Sequence, residues 1–181
     1  TFDRTTALRV LEEAIATSPA AKGVARARLE LARTGALWAT VAAHRDYVGE
    51  EPVLVRVATS PVDATDVRVY HKTTDRRLYD DALADAPEMF DVVLWNSTGH
   101  ATELTRGNLV AEINGARLTP PIDCGLLGGT LRAELLERGE IREALLSLDE
   151  LRRARRLWFV NSLRGWIPIR LAPNGESRPA P

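Results

Sequence analysis

The sequence predicts a mixed α and β fold of the α+β class, laid out in two parts, and three observations carry that reading. Near the start, one helical stretch is followed by short apolar runs that alternate with polar residues. Residues 59–66, Thr-Ser-Pro-Val-Asp-Ala-Thr-Asp, then break the pattern with turn chemistry. Beyond them, helical and β-branched runs alternate, and Asn114-Gly115 between two apolar runs is a strong hairpin signal.

Each element has its reason. Asp3 caps a helix over residues 3–17, whose apolar stripe is Ala7, Leu8, Leu11, Ala14 and Ile15 and which Ser18-Pro19 ends. The runs 24–31, 37–42 and 53–58 read as three strands of an antiparallel meander. Residues 1–60 are therefore expected to form a partial small α+β domain, with 61–66 as the linker and 67–171 as a larger domain. The proline-rich tail 172–181 is expected to be disordered.

In the larger part, Val67, Val69 and Tyr70 suit a strand end, and Leu78, Ala82 and Leu83 mark a helix at about 74–86. Strands follow at 91–95 and 109–113, and 118–121 closes the hairpin. A helix at about 129–138 turns Leu131, Leu135 and Leu136 inward, and Ser147 caps another at about 148–155. Residues 156–162 form a strand, and Pro168 predicts that the strand 167–171 lies at an edge.

Composition narrows the function classes. Hydrophobic residues make up 45% and charged residues 27%, with a net charge of −1. That is a globular chain with no broad electrostatic case for nucleic acid or anionic membrane. The single cysteine, Cys124, excludes an intrachain disulfide and reads as a space-filling residue. His44, His71 and His100 lack metal-ligand spacing, and His71 reads as a packing residue. Arg152-Arg153-Ala154-Arg155-Arg156 reads as a charged helix end entering a strand. No apolar run approaches 18 residues and no signal peptide is visible, so a soluble, cytoplasmic protein is expected.

Five positions stand out for chemistry. Lys72, in Val69-Tyr70-His71-Lys72-Thr73-Thr74-Asp75-Arg76-Arg77-Leu78-Tyr79, sits between a β-branched run and a helical run. A lysine held there with its charge desolvated suits imine chemistry, though the residues alone equally allow a solvated lysine. Glu103, in Thr102-Glu103 followed by Asn108, reads by itself as a surface glutamate on a strand. Gly128-Gly129-Thr130-Leu131 opens a helix, where unpaired N–H groups suit an anion. Ser162 and Arg164, in Asn161-Ser162-Leu163-Arg164-Gly165, lie in a turn after a late strand.

On these residues the chain resembles the fold-type IV enzymes that use pyridoxal phosphate, from about residue 2 to about residue 171. These include branched-chain aminotransferases, D-amino acid aminotransferases and aminodeoxychorismate lyases. The Lys-Thr-Thr-x-Arg-x-x-Tyr form is most similar to lyase domains fused behind the aminodeoxychorismate synthase subunit. The resemblance implies a small α+β domain followed by a β-barrel-like domain with helices. It implies that Lys72 bears the cofactor, that Glu103 pairs with its pyridine nitrogen, and that Thr130, Leu131 and Ser162 hold its phosphate. Lys72 would also act as the base. Arg164, read from its residues alone, is either a contact for a substrate carboxylate or an exposed loop arginine. Gly128 and Leu131 depart from the usual family form, which has proline and threonine there. The implied reaction is conversion of 4-amino-4-deoxychorismate to 4-aminobenzoate and pyruvate, in folate biosynthesis, with transamination or a non-catalytic remnant as alternatives. A homodimer and a synthase component as partner are further expectations. The chain opens on Thr1, and Phe2-Asp3 stands where the family has already passed a phosphate-gripping arginine. A fragment lacking that arginine is therefore expected.

Overall fold

The computed structural model describes residues 3–45, 47, 49 and 51–173. Two compact units divide at Val48 and Gly49. In the first, helix α1 spans Arg4–Thr17, and the Asp3 carboxylate accepts from the N–H groups of Thr5 and Thr6, both at 3.1 Å. The inward face of α1 is Ala7, Val10, Leu11 and Ala14, while Leu8 and Ile15 are exposed, so the expected stripe is rotated. Strands β1 (Ala25–Leu31) and β2 (Leu37–Ala43) form an antiparallel pair, with Leu31 opposite Leu37 and Ala25 opposite Ala43.

The expected three-strand meander is corrected at β3 (Val53–Val57), which belongs to the second unit. It pairs parallel with β10 (Gly165–Leu171) and with β4 (Asp91–Trp95). Val-Leu-Val-Arg-Val is nearly continuously apolar, as a strand covered on both faces must be. The parallel step from β3 to β4 passes through helix α2 (Arg77–Ala84), a crossover of the length that parallel pairing needs. Residues 61–66 are not a free linker, because Val62 is buried against Tyr79, Val92 and Leu94 and bridges to Asn96.

Strand β5 (Ala101–Leu104) carries Glu103, as expected; β6 (Gly107–Ile113), which starts two residues early, β7 (Ala116–Thr119) and β9 (Arg156–Asn161) also match, while strand β8 (Arg142–Glu143) is new. The sheet order is β5-β4-β3-β10-β9-β6-β7-β8, and β5 also pairs with β6. Six strands therefore close into a barrel, with β7 and β8 branching from β6. Asn114 (φ 51°) and Gly115 (φ 77°) make the two-residue turn between β6 and β7. Strand β10 lies inside the ring rather than at an edge. Pro168 precedes the first β10–β3 pair, Ile169 with Val53, so on that side there is no ladder for its missing N–H to break.

Register separates the barrel's two faces. Val55, Val93, Leu104, Leu109, Phe159 and Ile167 share one face and are essentially sealed from solvent. The opposite face is covered twice. Val92 and Leu94 pack under α2, and Val110 and Val160 pack under α3 (Thr130–Glu137), beside Leu135. Helix α4 (Leu148–Arg153) starts with a capping box between Ser147 and Glu150.

Val67–Val69 is a 3-10 turn, not a strand end. The Asp66 carboxylate accepts from the Arg68 N–H at 2.9 Å and pairs with its guanidinium, and that local closure outweighs the β-propensity of two valines. The tail expected to be disordered lies, past Pro173, outside the described residues.

Gly107 is forced by the barrel interior. A Cβ there would meet the Phe159 ring at 2.6 Å and the Val160 carbonyl at 2.9 Å. Overpacking costs roughly 1–3 kcal/mol, so Gly107→Ala is expected to lower the thermal midpoint by roughly 3–10 °C in a melting scan. An unchanged midpoint would show that the Phe159 ring has room to retreat.

Candidate active site

Glu103 is the centre of the arrangement, and it is buried, at 4% exposed, not on the surface. Strand β5 points it to the barrel's outer face, between the part covered by α2 and the part covered by α3. Its Oε1 accepts twice, from the Tyr79 hydroxyl at 2.9 Å and from the Leu127 N–H at 3.2 Å. Oε2 takes neither bond. Burial pushes the Glu103 carboxyl up to about 8. The two hydrogen bonds and the charges of Lys72 and Arg76 oppose that rise. Tyr79 is raised as well, by its own burial first and then by the charge of Glu103.

Asn108 sits directly opposite Glu103 in the β5–β6 pair, so both side chains rise on the same face. Its amide donates to the Leu127 carbonyl at 2.8 Å. The Leu127 residue is thus held at its N–H by Glu103 and at its carbonyl by Asn108. Gly129 follows, and a Cβ there would stand 2.2 Å from Asn108 Oδ1, so only glycine fits. Gly129 is also the N-cap of α3 and offers no side-chain cap. The first N–H groups of α3, on Thr130 and Leu131, therefore have no intrahelical partner.

Lys72 lies in irregular backbone between the 3-10 turn and α2, and its side chain is exposed, which corrects the expectation of a desolvated lysine at a strand end. Its surroundings are braced instead by ion pairs. Asp66 pairs with Arg68, Asp75 pairs with Arg77 at 2.8 Å, and Arg68 reaches Asp75 at 3.8 Å. The Arg77 guanidinium holds the Asp75 carboxyl down at about 2. His71 is exposed, which corrects its reading as a packing residue.

Ser162 is exposed in the turn after β9. That turn is built by Asn161, which accepts from the N–H groups of Leu163 (3.1 Å) and Arg164 (2.8 Å) and donates to the Arg106 carbonyl at 3.0 Å. Ser162 is thereby tied to the same end of the barrel as the β5–β6 turn. Arg164 is half-buried and forms no ion pair among the described residues. A cavity of about 780 Å³ opens elsewhere, among Arg155, Leu157, Pro168 and Arg170, and contains none of these residues.

Two partners escaped the sequence reading, the Tyr79 hydroxyl and the Leu127 N–H. The tyrosine had a signal. It lies three and four residues before Ala82 and Leu83 on the inward face of α2, and a buried phenol needs a hydrogen-bond partner. The backbone N–H had none.

The profile described as Amino-transferase class IV matches residues 1–172. A Schizosaccharomyces pombe protein named "Putative aminodeoxychorismate lyase" is 38% identical over 101 residues, covering 52% of this chain. The chain spans 44% of that relative's length. A crystal structure titled "Putative amino-acid aminotransferase" from Mesorhizobium loti is 35% identical, with a TM-score of 0.88 over 95% of this chain and 83% of that one. A structure from Legionella pneumophila titled "Putative 4-amino-4-deoxychorismate lyase" has a TM-score of 0.70 at 22% identity, over 76% of this chain and 53% of that one. At that identity it bears on the fold alone. A profile that spans nearly the whole chain, on a barrel whose outer face gathers Glu103, Asn108 and the glycine turn before α3, decides the family: this chain belongs to the class IV aminotransferases.

Proposed function

We propose that this chain holds pyridoxal phosphate and catalyses the conversion of 4-amino-4-deoxychorismate to 4-aminobenzoate and pyruvate. The family is generally dependent on that cofactor. The observation that carries the reading is Glu103, a buried carboxylate with one oxygen filled and the other left for a cationic N–H. A carboxyl pushed up to about 8 by burial is one that gains from such a partner. Gly129, which admits no side chain, and the uncapped start of α3 fit a phosphate group.

When bound, the cofactor supplies an electron sink for the bonds around the substrate's amine-bearing carbon. Glu103 holds the pyridine nitrogen in its protonated form. The N–H groups of Thr130 and Leu131, with Ser162, hold the phosphate. Lys72 would tether the cofactor and, as a free amine, would take the proton from the substrate ring carbon that bears the amine. Enolpyruvate then departs and becomes pyruvate, leaving the aromatic ring. Arg164 binds a substrate carboxylate. The protein acts in the cytoplasm as a homodimer, the dimer being supported by exposed apolar residues such as Trp38.

The lyase is favoured by the S. pombe relative and by the Lys72–Tyr79 segment. The second reading is amino-acid transamination, favoured by the likeness to the M. loti structure. Incubation with 4-amino-4-deoxychorismate and no 2-oxoacid separates them. We expect 4-aminobenzoate to appear, followed by its fluorescence. Turnover that requires a 2-oxoacid acceptor overturns the lyase in favour of the second reading.

A further inference from the structure

Tyr79 has no assigned role in the chemistry above, yet among the described residues it is the one side chain that hydrogen-bonds Glu103. Its ring is fixed on both sides. The inner side packs with Val92 and Leu94 in the cluster under α2. The Arg76 guanidinium lies over the ring at 4.9 Å from its centroid and is itself anchored to the Thr105 carbonyl at 2.8 Å. A ring so held presents its hydroxyl at one place, and Glu103 Oε1 is there.

A carboxylate on two rotatable side-chain bonds beyond Cβ has freedom to turn. With the Tyr79 O–H and the Leu127 N–H both on Oε1, rotation would break two hydrogen bonds at once in a site with little water to replace them. We propose that Tyr79 is a positioning residue, whose hydroxyl fixes the rotation of Glu103 so that Oε2 is kept for the pyridine nitrogen of the cofactor. This rests on the reading of Glu103 given above. It also assigns a physical purpose to the last residue of the Lys-Thr-Thr-x-Arg-x-x-Tyr segment. The same segment that carries the tether runs into the first turn of α2, where Tyr79 sets the carboxylate proposed for the other end of the cofactor ring.

The test uses the full chain and the Tyr79→Phe variant, with two probes: pyridoxal phosphate and its analogue in which CH replaces the ring nitrogen. Affinities are measured by calorimetry. The wild type is expected to prefer pyridoxal phosphate, and Tyr79→Phe is expected to reduce that preference about 5- to 10-fold while binding of the CH analogue is unchanged. A second readout needs no ligand. Carbon NMR of the Glu103 carboxyl, assigned with Glu103→Gln, should titrate higher in Tyr79→Phe, against the unchanged background of Lys72 and Arg76. If the variant loses thermal stability but keeps both the preference and the titration, Tyr79 is a core residue only and the proposal is overturned. If the wild type itself shows no preference between the probes, the reading of Glu103 fails, and the proposal falls with it by a different and recognisable pattern.

Discussion

Lys72→Ala is expected to abolish turnover, by at least about 10³-fold, the scale on which loss of a covalent group acts. The chain has only two lysines, Lys22 and Lys72, which makes the experiment unusually clean. Borohydride reduction of the cofactor-loaded protein should place the label on the peptide that contains Lys72, and Lys72→Ala should remove it. Folding should be unaffected, because the side chain is exposed and the loop around it is braced by Asp66, Arg68, Asp75 and Arg77. Label on the Lys22 peptide, or undiminished trapping in the variant, would refute the assignment.

Glu103→Gln should separate activity from stability. Activity is expected to fall about 10²- to 10³-fold, because an amide cannot supply the charge that holds a pyridinium. Stability of the ligand-free protein should move the other way at alkaline pH. The folded-state value of about 8 lies above the ordinary carboxylate value of 4.5. Between those values the unfolded chain has released its proton and the folded one keeps it, so this group lowers stability as pH rises from about 4.5 to about 8. Above that range its contribution is level, and below it the group contributes nothing. Glutamine has no such slope. Denaturant melts of the ligand-free proteins at pH 5 and pH 8.5 should therefore show the variant gaining on the wild type at the higher pH. A constant difference at the two pH values would mean that Glu103 is ionised throughout.

The elements written locally were legible from sequence. Asp3 announces α1, Ser147 with Glu150 announces α4, and Asn114-Gly115 announces its hairpin, because each rests on contacts within four residues. What stayed hidden depends on residues far apart in the chain. Nothing in Val53–Val57 says that its partners are Asp91–Trp95 and Gly165–Leu171, so a parallel barrel strand reads as part of a meander. Pro168 reads as an edge residue because the length of its neighbour β3 is not local information. Val67 and Val69 mislead in the opposite sense, since Asp66 and Arg68 close a turn that β-propensity does not register. For the site, Glu103 and Asn108 were visible as spacing, while the reason for the spacing, a cross-strand pair facing one loop, required the register.

The two-handed hold on Leu127 has a consequence for how this site can change over time. Glu103 takes its N–H and Asn108 its carbonyl, and the next residues are the glycines that open α3. The carboxylate and the turn proposed to hold the two ends of the cofactor are therefore not independent parts. A substitution at 103, 108 or 129 shifts the shared peptide and is felt at the other positions, so their effects will not add. Such positions must be inherited as a block. Chimaeras that exchange residues 101–108 with a relative, but leave 125–131 behind, should fail where exchange of both together succeeds. The Lys72 segment joins the same block through Tyr79, whose hydroxyl also holds Glu103.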